Sequence, residues 1–130
     1  MTENVMVLGK LKLYSIMKTT SFNDALKFNS DRISTSVILE TSFSKEIRIL
    51  LAEGQKMKEH KTPFPIVVHV LEGEIDFGVQ GVISSLKKGA IIALDGNVSH
   101  DLTALKDSVI RLSLSKLDSL KRVENVAKTF

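Results

Sequence analysis

The side chains in this sequence best suited to chemistry are its three histidines, His60, His69 and His100. An imidazole can ligate a metal ion, and it can also exchange a proton near neutral pH. The chain contains no cysteine, which excludes disulfides, zinc–thiolate sites and thiol catalysis. Chemistry at neutral pH would therefore centre on the histidines.

Most of the chain has the polarity pattern of β-strands. Apolar and polar residues alternate with a period of two over 33–40 and 46–51, which is typical of half-buried strands. Further β-rich runs are Ile66–Leu71, Ile75–Val79, Val82–Leu86, Ala90–Leu94 and Val109–Leu114. Five glycines are expected at turns between the runs: Gly73, Gly78, Gly81, Gly89 and Gly96. Many short strands separated by glycine turns predict an all-β sandwich or barrel.

The two ends of the chain have a different pattern. Ser21 is a capping residue and predicts a short helical turn over 21–26. Residues 116–130 carry an apolar stripe at helical spacing, which predicts a C-terminal α-helix packed on the barrel. We therefore predict one domain in three parts: an N-terminal extension over 1–30 that packs on the barrel, the barrel over 31–115, and the C-terminal helix.

Composition limits the class of protein. The chain has 130 residues, 43% hydrophobic and 25% charged, as expected of one folded domain. A net charge of +3, one tyrosine and no tryptophan argue against nucleic-acid binding. No apolar run approaches the ~20 residues of a membrane helix. The first residues lack the features of a signal peptide, so we predict a cytoplasmic protein without a membrane partner.

Residues 54–100 resemble the two conserved motifs of the cupin superfamily. The first motif begins at Gly54, reaches a histidine at His60 after a five-residue gap, and ends in a Val-Leu-Glu-Gly turn at Gly73. The second motif spans Gly89–His100 and keeps its glycine, turn and histidine at the family spacing. Both motifs occur in order, with consistent strands between them.

The second motif departs from the family at two turn positions. Asp95 and Asn97 stand where the family usually has Pro and Gly, and both residue types tolerate tight turns and positive φ. The resemblance implies a double-stranded β-helix, or jelly-roll barrel, similar to small single-domain bacterial cupins of the RmlC-like, cupin type-2 kind. The biochemical role of that group is mostly unassigned.

The resemblance also implies where a metal would bind. Metal-binding cupins supply two histidines and a glutamate from the first motif and one histidine from the second. In this sequence those positions fall at His60, Thr62, Ile66 and His100. Two of the four ligands are missing, so we predict an incomplete metal site of His60 and His100. We expect no tightly bound cofactor and at most weak binding of a divalent transition metal.

Strand parity predicts which of these side chains face the interior. Alternation places His69 outward, opposite to its even-numbered neighbours, provided that the Pro63–Pro65 segment does not shift the register. The predicted ligand pocket is then made of His60, Thr62, Ile66, Val68 and His100.

Three functions are compatible with such a pocket. The protein could be a module that binds a small, as yet unknown molecule in the barrel. It could instead be a metal-dependent oxygenase or isomerase that uses His60 and His100, or a metal-free enzyme in which one histidine is a general base. The third possibility, after a binding module and an enzyme, is a stability or storage protein.

Two segments suggest that the barrel has a partner. Residues 66–68 and 91–94 are apolar on both strand faces, and a strand buried on both faces needs a cover. The N-terminal strands, the C-terminal helix or a second subunit could supply it, and we favour a homodimer.

Overall fold

Antiparallel strands in two sheets make up most of residues 16–116, which are the residues that the computed structural model describes. Alternation and β-rich composition predicted seven of the nine strands of this region. The other two, β3 and β8, end and begin at the two motif histidines. In chain order the strands are β1 (Ser34–Glu40), β2 (Ser44–Leu51), β3 (Lys56–His60), β4 (Ile66–Glu72), β5 (Glu74–Val79), β6 (Val82–Lys87), β7 (Ile91–Leu94), β8 (His100–Ala104) and β9 (Ser108–Ser115).

The core lies between a five-stranded and a four-stranded sheet. Their strand orders are β1-β2-β9-β4-β7 and β3-β8-β5-β6, and all the pairings are antiparallel. Ile49, Val70 and Ile110 of the larger sheet pack against Ile75 and Phe77 of the smaller one. Burial of these alternating residues between two sheets stabilises the sandwich by the hydrophobic effect.

The outer face of β2 is covered as well, although its alternation predicts one buried face only. Glu46 and Arg48 lie on that face and are 6% and 9% exposed. The Arg48 guanidinium donates hydrogen bonds to the backbone carbonyls of Phe22, Asp24 and Ala25. The N-terminal segment, residues 21–30, is thereby held against the outer face of the five-stranded sheet.

The predicted turn near Ser21 is present in this segment. Its backbone carbonyl accepts a hydrogen bond from the amide of Asp24 at 3.3 Å, and its hydroxyl accepts one from the amide of Asn23 at 3.1 Å. The second bond is the capping interaction that the sequence predicts. The predicted C-terminal helix lies outside the described residues, except for its first residue, Lys116.

One glycine prediction is wrong. Gly78 lies inside β5 and not at a turn. A Cβ built at this position would clash with Oδ1 of Asp101 on the neighbouring strand β8. The glycine therefore allows close approach of the Asp101 carboxylate, and close approach is a second common reason for glycine in a strand. Between residues 16 and 116, no helix is long and apolar enough to cross a membrane.

Candidate functional site

A β-bulge in β3 determines which side chains face the barrel interior beside the first motif histidine. In the β3–β8 pairing, Met57 lies opposite Leu102 and His60 lies opposite His100, with a register shift between the two pairs. Three residues of β3 thus match two of β8. A bulge of this kind allows residues at an odd spacing to share one face, and both Met57 and His60 line the same cavity.

The two motif histidines are in contact. The ring centroids of His60 and His100 are 4.4 Å apart with an interplanar angle of 59°. The His100 ring also stacks on Phe77, at a centroid distance of 5.5 Å and an angle of 13°. His100 is 4% exposed, whereas His60 is exposed. The pair therefore connects the buried core to the surface of the barrel.

Backbone carbonyls fix the orientation of both rings. Nδ1 of His60 donates a hydrogen bond to the carbonyl of Lys58 at 2.8 Å, and Nδ1 of His100 donates one to the carbonyl of Val98 at 2.9 Å. A carbonyl oxygen can only accept, so each Nδ1 carries a proton. In the neutral imidazole the lone pair is then on Nε2, and metal-ligating histidines are commonly oriented in this way.

A cavity of about 280 Å³ opens beside His60. Residues of β1, β2, β3 and β9 form its wall, and Val37 on β1 is 50% exposed. A volume of this size is near the lower limit for a ligand pocket, which favours a small ligand. Most of the lining atoms are apolar. The lining residues are Thr35, Ser36, Val37, Ile47, Ile49, Met57, His60 and Leu112.

Thr62 belongs to a loop and does not lie on a strand. Residues 61–65 form no strand, so parity does not extend from His60 to this position. The Thr62 hydroxyl donates a hydrogen bond to the carbonyl of Phe64 at 2.9 Å. The Thr62 carbonyl accepts one from the amide of Asn97 at 2.7 Å. The loop is therefore packed against the turn of the second motif, where Asn97 has a φ of 64°, as its tolerance of positive φ predicts.

The remaining predicted pocket residues have different surroundings. Ile66 and Val68 are each 4% exposed and belong to the core cluster. Val68 pairs with Leu112, which lines the cavity. His69 alternates with these buried neighbours and lies opposite Arg111 of β9, so it is on the outer face. Of the predicted set, His60 alone lines the cavity itself, with His100 directly behind it.

Sequence reasoning missed most of the cavity wall. Thr35 and Val37 come from β1, Met57 from β3 and Leu112 from β9. The wall depends on pairings between distant parts of the chain and on the bulge before His60. Periodicity within one segment contains no signal for either of these features.

The residues at the predicted metal positions do not fit a complete site. Within residues 16–116, no three or more His, Cys, Asp or Glu side chains are grouped closely enough to hold a metal ion. The Thr62 hydroxyl is hydrogen-bonded within its own loop, and Ile66 offers no donor atom. Two imidazoles fall short of the three protein ligands that catalytic zinc sites usually have.

Comparison with known proteins identifies the fold. No family model and no curated protein matches the sequence. Solved structures do match. An RmlC-like cupin from Desulfovibrio desulfuricans superimposes with a TM-score of 0.70 at 20% identity, covering 76% of this chain and 96% of that one. For an RmlC-like cupin from Shewanella frigidimarina the TM-score is 0.65 at 19% identity, with 76% and 91% covered.

A third match is an uncharacterized conserved protein with a double-stranded β-helix domain from Klebsiella pneumoniae. Its TM-score is 0.67 at 22% identity, covering 76% of this chain and 89% of that one. The fold is thus that of the double-stranded β-helix proteins. More narrowly, it is the small jelly-roll fold of the cupin structures to which the chain is similar.

Proposed function

We propose that the protein binds one small, mostly apolar molecule in the cavity beside His60. The main support for this proposal is the contact between His60 and His100. Backbone carbonyls hold both rings at Nδ1, so the pair has a fixed orientation. In a neutral His60 ring with Nδ1 as the donor, Nε2 can accept a hydrogen bond from a ligand in the cavity that His60 lines. A polar group placed among apolar walls orients a ligand and gives specificity.

The chemistry of the wall indicates the class of ligand. Ile47, Ile49 and Leu112 would contact an apolar body, and Thr35 adds a hydroxyl to the wall. A neutral imidazole whose Nδ1 is already a donor accepts at Nε2. The matching ligand therefore has an apolar part and one hydroxyl or amine group that donates a hydrogen bond.

A metal-dependent enzyme of the oxygenase or isomerase type is the second candidate. The observation in its favour is the Nδ1–carbonyl bonding of both histidines, which is the usual support of a metal-ligating imidazole. The predicted site offers two ligating side chains, His60 and His100, and this small number argues against tight metal binding. We therefore propose that a divalent transition metal binds weakly and below one equivalent.

A thermal-shift screen with matched histidine variants tests the proposal. Small alcohols and amines with apolar groups, together with Ni²⁺ and Zn²⁺, are added to the wild type, His60→Leu and His69→Leu. A ligand at ten times its dissociation constant is expected to raise Tm by several degrees, about 1.4 kcal/mol of stabilisation. The rise should be lost in His60→Leu and kept in His69→Leu, which changes the outer-face histidine.

Two outcomes would contradict the proposal. One is a screen in which no organic compound raises the wild-type Tm, and the other is an equal loss of binding in both variants. Elemental analysis of the purified protein tests the second candidate, the metal-dependent enzyme. One equivalent of metal that survives chelation would establish a metal centre and would overturn our expectation of weak binding.

A further inference from the structure

A second cavity lies on the other side of the five-stranded sheet, between the N-terminal segment and strands β1 and β2. It measures about 550 Å³. Unlike the cavity beside His60, it has a mainly polar wall. The lining residues are Ala25, Lys27, Phe28, Asn29, Ser30, Ser34, Ser36, Arg48 and Leu50. From this wall we infer a binding site for a small oxyanion, a carboxylate or a phosphate, which is distinct from the proposed ligand site and shares with it one lining residue, Ser36.

Arg48 provides a buried positive charge at this cavity. The residue is 9% exposed. Its terminal nitrogens donate to the carbonyls of Phe22 at 3.0 Å and Ala25 at 3.4 Å, and also to that of Asp24. Nε is buried and has no hydrogen-bond partner among the described residues. Carbonyl dipoles hold the guanidinium in place but do not neutralise its charge.

No carboxylate balances Arg48 within the described part of the chain, since none of the ion pairs formed there includes it. Its cross-strand neighbour is another cation, Arg111. The nearby acid, Glu46, is already paired with Nε of Arg111 at 2.9 Å. A buried charge is costly unless an opposite charge accompanies it, so this face favours an incoming anion.

The rest of the wall suits an oxyanion. Ser30, Ser34 and Ser36 line the cavity, and their hydroxyls make no hydrogen bond to another described residue. Lys27 adds an exposed ammonium at the rim. Hydroxyl and cationic donors placed around one cavity make charge-assisted hydrogen bonds to carboxylate or phosphate oxygens.

The test is an NMR titration of the full-length protein with inorganic phosphate and, separately, with acetate. Sodium chloride keeps the ionic strength constant, so that general screening does not change. At least one of the two anions should produce saturable shifts in the amides of residues 27–36 and 48–50. We expect a dissociation constant on the order of 1 mM, as for a few polar contacts near solvent.

Variants that leave the Arg48 contacts intact locate the site. Lys27→Gln and Ser34→Ala should each weaken binding by about two- to fivefold, the weight of one exposed charge pair or one hydrogen bond. Lys87→Gln, on the exposed strand β6, should leave binding unchanged. The inference fails if neither anion saturates these amides below about 20 mM, or if Lys87→Gln weakens binding as much as the cavity variants do.

Discussion

Glu46 shows how the environment of a single residue determines its charge. Burial disfavours the ionised carboxylate and raises its pKa. Hydrogen bonds from Ser113, Arg111 and Ser44, with the positive charge of Arg111, outweigh burial, so the pKa of Glu46 is lowered from its ordinary 4.5. Glu46 therefore remains ionised in the folded protein and links β2 to β9.

Replacing this carboxylate gives a prediction with a defined pH dependence. Because the folded-state pKa of Glu46 lies below the unfolded value, its stabilisation is complete above pH 4.5 and is lost as pH falls through the folded pKa. At pH 7, Glu46→Gln should lower the free energy of unfolding by about 1.5–3 kcal/mol, the weight of a hydrogen bond to a charged group. Urea unfolding at pH 7 and at about pH 3 measures the difference, which should shrink at the lower pH.

Glu40→Gln is the matched control for this experiment. Glu40 also has a lowered pKa, chiefly because Lys116 donates a hydrogen bond to it, but it is exposed. Ion pairs at the surface contribute little, so this variant should change stability much less. An effect of Glu46→Gln that is the same at both pH values would show that its charge is not responsible.

Some of the site could be predicted residue by residue. The motif spacing predicted that His60 and His100 lie together, and parity predicted that His69 faces outward. Neither result needs knowledge of distant contacts. By contrast, Thr62 is displaced by the irregular 61–65 loop, and no periodic pattern describes such a loop. Burial of Arg48 depends on a segment more than twenty residues earlier in the chain.

Among the structural elements, the turn that ends the first motif is tightly constrained by packing. Gly73 connects β4 to β5 with a φ of 92°. A Cβ at this position would clash with the Ser108 hydroxyl and would lie 2.5 Å from the carbonyl oxygen of Asp107. The Ser108 hydroxyl also accepts a hydrogen bond from the amide of Glu74 at 3.1 Å. The turn is therefore tied to the start of β9.

Gly73→Ala should be strongly destabilising for two reasons. Positive φ costs an alanine about 1–2 kcal/mol, and forced contact with a packed backbone adds about 1–3 kcal/mol. Gly54→Ala separates the two effects, because Gly54 has a similar φ of 88° but no heavy atom within 4 Å of the Cβ that alanine would add. Thermal unfolding should show a Tm loss for Gly73→Ala clearly larger than that for Gly54→Ala. Equal losses would mean that the close contact with Ser108 does not contribute to the destabilisation of Gly73→Ala.

The elements differ in how clearly the sequence marks them. β5 alternates regularly, β4 is a β-rich apolar run, and a glycine turn lies between them, so the existence of both strands could be predicted. β3 has three charged residues among its five and contains a bulge, and its residues are largely exposed. An exposed edge strand needs no apolar face, so the pattern that predicts strands is missing there. The element that carries His60 is consequently one that periodicity does not reveal.

For the whole molecule, the predicted sandwich or barrel is confirmed, and its outer surface is informative. Val67 of β4 lies opposite Ala93 of β7, and His69 opposite Ile91. Ile91 is 62% exposed. An apolar depression of about 370 Å³ includes Val67, Ala93 and the largely exposed Phe43, together with Ile66, Leu94 and Leu114, which belong to or pack on the core. Apolar patches on a protein surface often mark association sites.

We propose that this outer surface forms the interface of a homodimer. Light scattering at micromolar concentration should give the mass of two chains, because association would remove this apolar surface from water. Ile91→Asp would place a carboxylate in the apolar row and should shift the protein to monomer. Val82→Asp is the control, because Val82 is 67% exposed on β6 at the edge of the other sheet. A monomeric wild type, or a Val82→Asp variant that dissociates as readily as Ile91→Asp, would rule out this interface, because only the β4–β7 face should respond to a new charge.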